Sequence, residues 1–181
     1  MSDSNLFAAL RAAFPANLDE AAVEAVSPHG EPLNYSWRDL DRISARMANL
    51  LASLQLPEGS RIAAQVEKSV EAMLLYLATL RAGHVFLPLN TAYQSAEVEY
   101  FVGNAEPAVV VCTPKNLDWV SRIATAAGAA HVFTLGDDRD GNLLERAAHC
   151  GDEQQPVARQ ADDLAAILYT SGTTGRSKGA M

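Results

Sequence analysis

The chain has 181 residues, of which 49% are hydrophobic and 20% are charged, the composition of an ordinary globular protein. This length is enough for one good hydrophobic core or two small subdomains. Lys and Arg total 14 against 22 Asp and Glu, a formal net charge of −8 without a basic block, which argues against a nucleic-acid partner.

The N-terminus carries no positively charged stretch followed by an apolar segment, so no secretory signal is expected. No apolar run approaches the roughly 20 residues of a membrane-spanning helix. These observations predict a cytoplasmic protein with no membrane partner.

The first third of the chain predicts two helices with an irregular region between them. Residues 5–14 place apolar side chains on one helical face, whereas 15–34 contain proline and glycine breakers and are predicted to be irregular. A short strand is expected just before Ser36. Ser36 and Asp39 then resemble a capping box, which predicts a helix from there to about Leu54.

From residue 61 onwards, strand and helix patterns alternate. This alternation predicts an α/β fold, a mostly parallel sheet with helices on both faces, which binds ligands beyond the carboxyl ends of its strands. The predicted strands are 61–66, 85–88, 108–112 and 131–135, and the predicted helices are 70–81, 95–102, 116–127 and 142–150.

The cysteines and histidines give no metal-binding pattern. Cys112 ends an apolar strand and is expected in the core, and Cys150 lies near a helix end, where we expect a free thiol. They lack paired-ligand spacing, so zinc is unsupported, and no metal ligands are assigned. Among the four scattered histidines, His84 borders a predicted strand, but packing is the favoured interpretation.

The last stretch of the chain indicates a phosphate-binding loop. An apolar run at 164–168 predicts a buried strand, and residues 170–179 then contain five hydroxyl side chains, three glycines and Lys178. Glycines let backbone N–H groups approach an anion closely, and the hydroxyls and the lysine add donors and charge. The predicted phosphate-binding residues are Thr170, Ser171, Gly172, Thr173, Thr174, Gly175 and Lys178.

The order of these residues is not that of a Walker loop, because Ser177 rather than glycine precedes the lysine. Segment 171–179 instead resembles the Ser/Thr-Gly-Ser/Thr-Thr-Gly-x-Pro-Lys-Gly loop of the adenylate-forming superfamily, with Ser177 in place of proline. Segments 35–40, 81–90 and 162–172 are similar to other motifs of that superfamily. Within it, segments 65–69 and 87–93 most resemble malonyl-CoA synthetases.

The resemblance implies a two-step ligase reaction that uses ATP, Mg²⁺ and coenzyme A. A carboxylate attacks the α-phosphate of Mg·ATP to give an acyl-adenylate and pyrophosphate. The thiol of coenzyme A then attacks the acyl carbon and releases AMP. A small carboxylate such as malonate is the expected substrate, and Lys178 with the loop from Thr170 to Gly175 is expected to hold the β- and γ-phosphates.

By the same resemblance, residues 1–181 are expected to be the incomplete N-terminal portion of the AMP-binding domain, with the phosphate loop at 169–179 and the C-terminal lid domain absent. No catalytic residue is assigned, and the chain alone is expected to be inactive. An open strand edge is expected to favour self-association. The alternatives are a fatty-acyl or amino-acid adenylating enzyme and a truncated, non-catalytic nucleotide-binding or interaction module.

Overall fold

The computed structural model describes residues 4–170 and 178–180, which form a parallel sheet between two helical layers and two small antiparallel hairpins. The helices are α1 (Leu6–Ala12), α2 (Trp37–Ser53), α3 (Val70–Arg81), α4 (Ser95–Ala105), α5 (Leu117–Ala126) and α6 (Asn142–Ala147), and a 3₁₀ helix (Pro114–Asn116) precedes α5. The strands are β1 (Ala21–Val26), β2 (Pro32–Ser36), β3 (Arg61–Gln65), β4 (Val85–Pro88), β5 (Val109–Cys112), β6 (His131–Thr134), β7 (Leu168–Thr170) and β8 (Lys178–Ala180).

The central sheet has four parallel strands in the order β4-β3-β5-β6. Ala63 of β3 lies opposite Leu87 on one side and Val110 on the other, and Val110 lies opposite Val132. The chain leaves β3 first towards β4 and later crosses to β5, so the strand order reverses between β3 and β5. In parallel α/β sheets, this reversal opens a crevice at the carboxyl edge, where ligands bind.

Each face of the sheet carries its own hydrophobic core. Ile62 and Ala64 of β3 pack with α2, α3 and α6, whereas Ala63 packs with α4 and α5 on the opposite face. Because both faces are covered, strand β5 is apolar at all four positions and does not alternate. Cys112 lies in this core as predicted, where burial raises the pKa of its thiol to about 11. The parallel sheet with helices on both faces is thus confirmed.

Local capping signals place the helix starts where the sequence predicts them. The hydroxyl of Ser36 accepts from the Asp39 amide, and the Asp39 carboxylate accepts from the Ser36 amide, so α2 begins with a complete capping box. Ser69 caps α3 through the Ala72 amide, and α3 has its predicted bounds. Three helices end two or more residues away from their predicted bounds: α1 ends at Ala12 rather than 14, α4 continues beyond 102 to Ala105, and α6 ends at Ala147 rather than 150.

The prediction of an irregular region at 15–34 is wrong, because β1 and β2 form an antiparallel hairpin there. Pro28 and Gly30 lie in its turn, and Pro32 is the first residue of β2. Within the turn, the Gly30 amide donates to the Ser27 carbonyl and the Ser27 amide to the Glu31 carbonyl. Strand β1 lies partly exposed over the α2 side of the sheet and lacks a clear apolar alternation, which explains why its sequence did not signal a strand.

The prediction of a buried strand at 164–168 is also wrong in its bounds and burial. The strand β7 begins at Leu168, whose side chain is 53% exposed, and within 164–168 only Ile167 is buried. The preceding residues instead extend the central sheet: the Phe86 amide donates to the Ala165 carbonyl, and the Ile167 amide donates to the Phe86 carbonyl. This segment therefore lies along the outer edge of β4. Because the rest of the sheet covers the segment on one side only, most of its residues are not buried.

Candidate functional site

Strands β7 and β8 bring together the two ends of the predicted phosphate loop. They pair antiparallel, with Leu168 opposite Ala180, Tyr169 opposite Gly179 and Thr170 opposite Lys178. The segment between Thr170 and Lys178 is therefore closed at its base by backbone hydrogen bonding. A segment with paired ends is a suitable support for a loop that surrounds a phosphate group.

Strand β7 follows a segment that lies along the outer edge of β4. Ala166 of this segment forms a parallel bridge to Phe86. Thr170 comes four residues after Ala166, whereas β4 ends two residues after Phe86. This count favours a position of the base of the loop towards the carboxyl edge, where parallel sheets bind ligands.

Of the predicted phosphate-binding residues, Thr170 is exposed at the end of β7, and Lys178 contributes its backbone to β8. Ser171, Gly172, Thr173, Thr174 and Gly175 lie outside the described residues. Gly179 has a packing reason to be glycine, because a Cβ there would lie 3.1 Å from the Ile167 Cγ2 atom and 3.5 Å from the Tyr169 ring.

Tyr169 is the first residue of the predicted 169–179 loop and was not among the predicted phosphate-binding residues. Its ring packs against Phe101 of α4 with centroids 4.5 Å apart, and its hydroxyl donates to the Asn104 Oδ1 atom at 2.5 Å. Burial, followed by the neighbouring Tyr100, raises the pKa of Tyr169 above its ordinary value. The sequence signal was a tyrosine at the start of the loop, because the hydroxyl of a buried tyrosine usually needs a hydrogen-bond partner.

Two ionised side chains meet across the point where the strand order reverses. Glu67 follows β3 and Lys115 follows β5, and the Lys115 Nζ atom lies 3.4 Å from the Glu67 Oε1 atom. The pairing arises because the carboxyl ends of β3 and β5 are neighbours in the sheet.

The same edge contains two buried oxygen atoms that lack a hydrogen-bond partner among the described residues, Gln65 Oε1 and Thr113 Oγ1. The amide nitrogen of Gln65, by contrast, donates to the carbonyls of Asn90 and Tyr93 at 3.2 and 3.0 Å. These donations hold the turn after β4 against the end of β3.

A groove of about 1150 Å³ opens beside this edge, between the β1–β2 hairpin, α3 and the ends of β3 and β4. Both apolar and polar residues line it. Examples are Val26, Met73 and Phe86 among the apolar residues and Glu67, Lys68, Asn90 and Asp137 among the polar ones.

His84 is not part of this edge, since it lies directly before β4 at the opposite, amino end of the strand. It is buried, and burial, followed by the positive charge of Arg159, lowers the pKa of its imidazole. Within 4–170 and 178–180, no group of three or more His, Cys, Asp or Glu side chains is arranged to hold a metal ion. None of the described helices has the length and apolar character needed to cross a membrane.

Comparisons with known proteins identify relatives over nearly the whole chain. The sequence profile of the AMP-binding enzyme family matches residues 11–181. The ATP-bound structure of MatB from Rhodopseudomonas palustris is 49% identical, with a TM-score of 0.90 over 99% of this chain and 35% of that chain.

Two curated ligases are more distant. The L-proline–[L-prolyl-carrier protein] ligase of Pseudomonas fluorescens is 33% identical over 86% of this chain. The long-chain-fatty-acid–CoA ligase FadD13 of Mycobacterium tuberculosis is 28% identical over 81% of this chain. The aligned region spans only 30% and 29% of the lengths of these two relatives.

Proposed function

The chain belongs to the AMP-binding enzyme family, and from this premise we propose that it is the phosphate-holding part of an ATP-dependent acid–CoA ligase. Its substrate is a small carboxylate, with malonate as the specific candidate. The single observation that carries the proposal is the Thr170-to-Gly179 sequence, whose ends the β7–β8 hairpin brings together.

The residues of this segment fit a nucleotide triphosphate by their chemistry. Thr170 presents an exposed side chain at the end of β7, and Lys178 supplies a positive charge. The ATP-bound state of MatB, at 49% identity, supports ATP as the nucleotide. ATP supplies the α-phosphorus that the carboxylate attacks.

The contribution of this chain to that reaction is electrostatic and positional. Lys178 neutralises charge on the β- and γ-phosphates, and the loop donors hold these phosphates while pyrophosphate departs. Donors that are already oriented towards developing charge lower a barrier more effectively than water does, because they need no reorganisation. Mg²⁺ and coenzyme A belong to the proposal through the family resemblance, and no described residue is assigned to either.

Malonate is favoured by two sequence segments and by the level of identity. Segments 65–69 and 87–93 resemble malonyl-CoA synthetases, and identity is 49% to MatB but 28% to the long-chain fatty-acid ligase. An amino-acid adenylating enzyme is the second candidate, supported by 33% identity to the prolyl-carrier-protein ligase. Because the chain alone is expected to be inactive, acid-dependent ATP–pyrophosphate exchange is measured on the whole ligase of which we propose it is part, and a comparison of malonate, proline and a long-chain fatty acid separates these possibilities.

The first prediction is that Lys178→Ala weakens MgATP binding. Loss of one charge-assisted contact of about 1.5–3 kcal/mol corresponds to roughly a tenfold or greater rise in Kd. Isothermal titration calorimetry measures this directly. The matched control is Arg122→Ala, which removes one positive charge from an exposed position on α5 and should leave Kd unchanged. Equal affinity of the wild type and Lys178→Ala would refute the assigned role of the lysine.

A further inference from the structure

We propose that Tyr169 is a positioning residue, which attaches both ends of the phosphate loop to helix α4 through Asn104 and Phe101. The inference rests on the proposed function, since it assigns to Tyr169 the task of holding Thr170 and Lys178 in place for the triphosphate. Tyr169 does not itself need to touch the nucleotide.

The first step is that one face of α4 holds Tyr169 at two points. The Tyr169 hydroxyl donates to Asn104 at 2.5 Å, and its ring packs on Phe101 with centroids 4.5 Å apart. Phe101 and Asn104 are three residues apart in a helix, so their side chains lie on the same face. Two contacts on one rigid helix restrict both the position and the rotation of the tyrosine ring.

The second step is that the support behind these contacts is firm. Phe101 is 3% exposed and belongs to the core that α4 and α5 form against the sheet. Its ring also contacts Tyr93 with centroids 4.8 Å apart. Closely packed cores transmit displacement rather than absorb it, so Tyr169 is fixed relative to the central sheet.

The third step is that Tyr169 is the residue of β7 whose side chain packs against the rest of the protein. Leu168 and Thr170 on either side are exposed, and Tyr169 is the half-buried residue of β7. It lies opposite Gly179, next to the Thr170–Lys178 pair. A Cβ at Gly179 would contact the Tyr169 ring at 3.5 Å, so the ring lies directly against β8. Movement of this one side chain therefore displaces both ends of the loop.

The test separates the hydrogen bond from the ring. Tyr169→Phe keeps the ring and removes the hydroxyl, Asn104→Ala removes the acceptor, and Asn104→Asp keeps an acceptor oxygen. The matched control is Tyr35→Phe, which removes a 2.5 Å hydrogen bond to Glu71 elsewhere in the fold. Each protein is assayed for MgATP affinity by calorimetry, for Tm, and for the backbone amide NMR signals of Lys178 and Gly179.

We expect Tyr169→Phe and Asn104→Ala each to weaken MgATP binding about three- to tenfold, the size of one hydrogen bond. The double variant should be no weaker than either single variant, because both remove the same contact. Asn104→Asp should retain affinity. Both single variants should move the Lys178 and Gly179 amide signals in the nucleotide-free protein, whereas Tyr35→Phe should change Tm alone.

The outcomes distinguish this inference from the function on which it rests. If the wild type does not bind MgATP, the proposed function fails, and the amide signals still decide whether Tyr169 positions β8. If the wild type binds MgATP but Tyr169→Phe has the same affinity and unmoved amide signals, the positioning role is refuted. A change in Tm without either of the other changes would show that the contact only stabilises the fold, which also overturns the inference.

Discussion

Arg81 is a charged residue in the interior of the protein, with 2% of its surface exposed. Its guanidinium Nη1 atom lies 2.8 Å from the Asp41 carboxylate, and Nε donates to the Gln154 carbonyl at 2.9 Å. It also lies over the Phe7 ring, 4.8 Å from the centroid. A buried charge is tolerated only when it is paired and hydrogen-bonded, so Asp41 is the residue on which Arg81 depends.

At the residue scale we predict that Asp41→Ala lowers the free energy of unfolding by about 3–5 kcal/mol, because it leaves the buried Arg81 charge without its carboxylate. Urea denaturation followed by circular dichroism measures this loss. The control is Asp19→Ala, which breaks the exposed pair with Arg38 and should change the free energy of unfolding much less. Equal losses in the two variants would contradict the assigned importance of Asp41.

The wild type and Asp41→Ala should also differ in how their free energies of unfolding depend on pH. Burial alone would raise the pKa of Asp41, but the hydrogen bond from Arg11 and the charge of Arg81 hold it below its ordinary value. A lowered pKa in the folded state stabilises the protein above the unfolded pKa of about 3.9, and this stabilisation disappears as the pH falls through the folded pKa. The stability difference between wild type and Asp41→Ala should therefore shrink below about pH 4, and a constant difference would argue against this linkage.

At the end of helix α3, both local backbone geometry and a tertiary contact require one residue, Gly83, to be glycine. Gly83 follows the helix with φ of +74°, a left-handed conformation that glycine adopts without strain. A Cβ at this position would also lie 2.9 Å from the Val157 Cγ1 atom, on a segment 74 residues away in the chain. The turn therefore requires glycine for two separate reasons, one of backbone geometry and one of packing.

At the element scale we predict that Gly83→Ala destabilises the protein more than Gly128→Ala. Both glycines follow helices at positive φ, +74° and +84°, so both substitutions should incur a left-handed penalty of about 1–2 kcal/mol. A Cβ at Gly128 meets no atom within 4 Å in the described structure, so the clash with Val157 is specific to Gly83. Thermal unfolding compares the two, and equal Tm values would show that Val157 moves aside at little cost.

For the whole molecule, the two edges of the central sheet differ. The β4 edge is covered by the segment around Ala166, whereas β6 pairs with β5 alone among the strands that the structure describes. The Thr134 amide at the end of β6 donates to the Asn142 side chain, so one backbone N–H group of this strand has a hydrogen-bond partner nearby in the chain. An edge strand with free backbone groups favours pairing with a second chain.

At this scale we predict that the chain self-associates in a concentration-dependent manner through the β6 edge. The physical reason is that pairing of two edge strands satisfies backbone groups that water otherwise solvates. Size-exclusion chromatography with multi-angle light scattering measures the mass from micromolar to millimolar concentration. A constant monomer mass across that range would contradict the prediction.

The amino-acid sequence by itself determined those features that depend on residues a few positions apart. Helix α3 has its predicted bounds, because the Ser69 cap and the apolar periodicity act within single turns. The strands of the central sheet follow from short apolar runs between turn residues, and the residue order from Thr170 to Lys178 predicts a phosphate-binding loop.

Only the tertiary structure decided which distant residues meet. Tyr169 and Asn104 are 65 residues apart in the chain. Their hydrogen bond exists because α4 and Tyr169 of β7 pack in the same hydrophobic core on one face of the sheet. The β1–β2 hairpin, the pairing of Glu67 with Lys115 and the burial of Arg81 against Asp41 arise in the same way. Periodicity and caps act within a few residues of the chain, whereas these contacts depend on how whole elements are arranged in space.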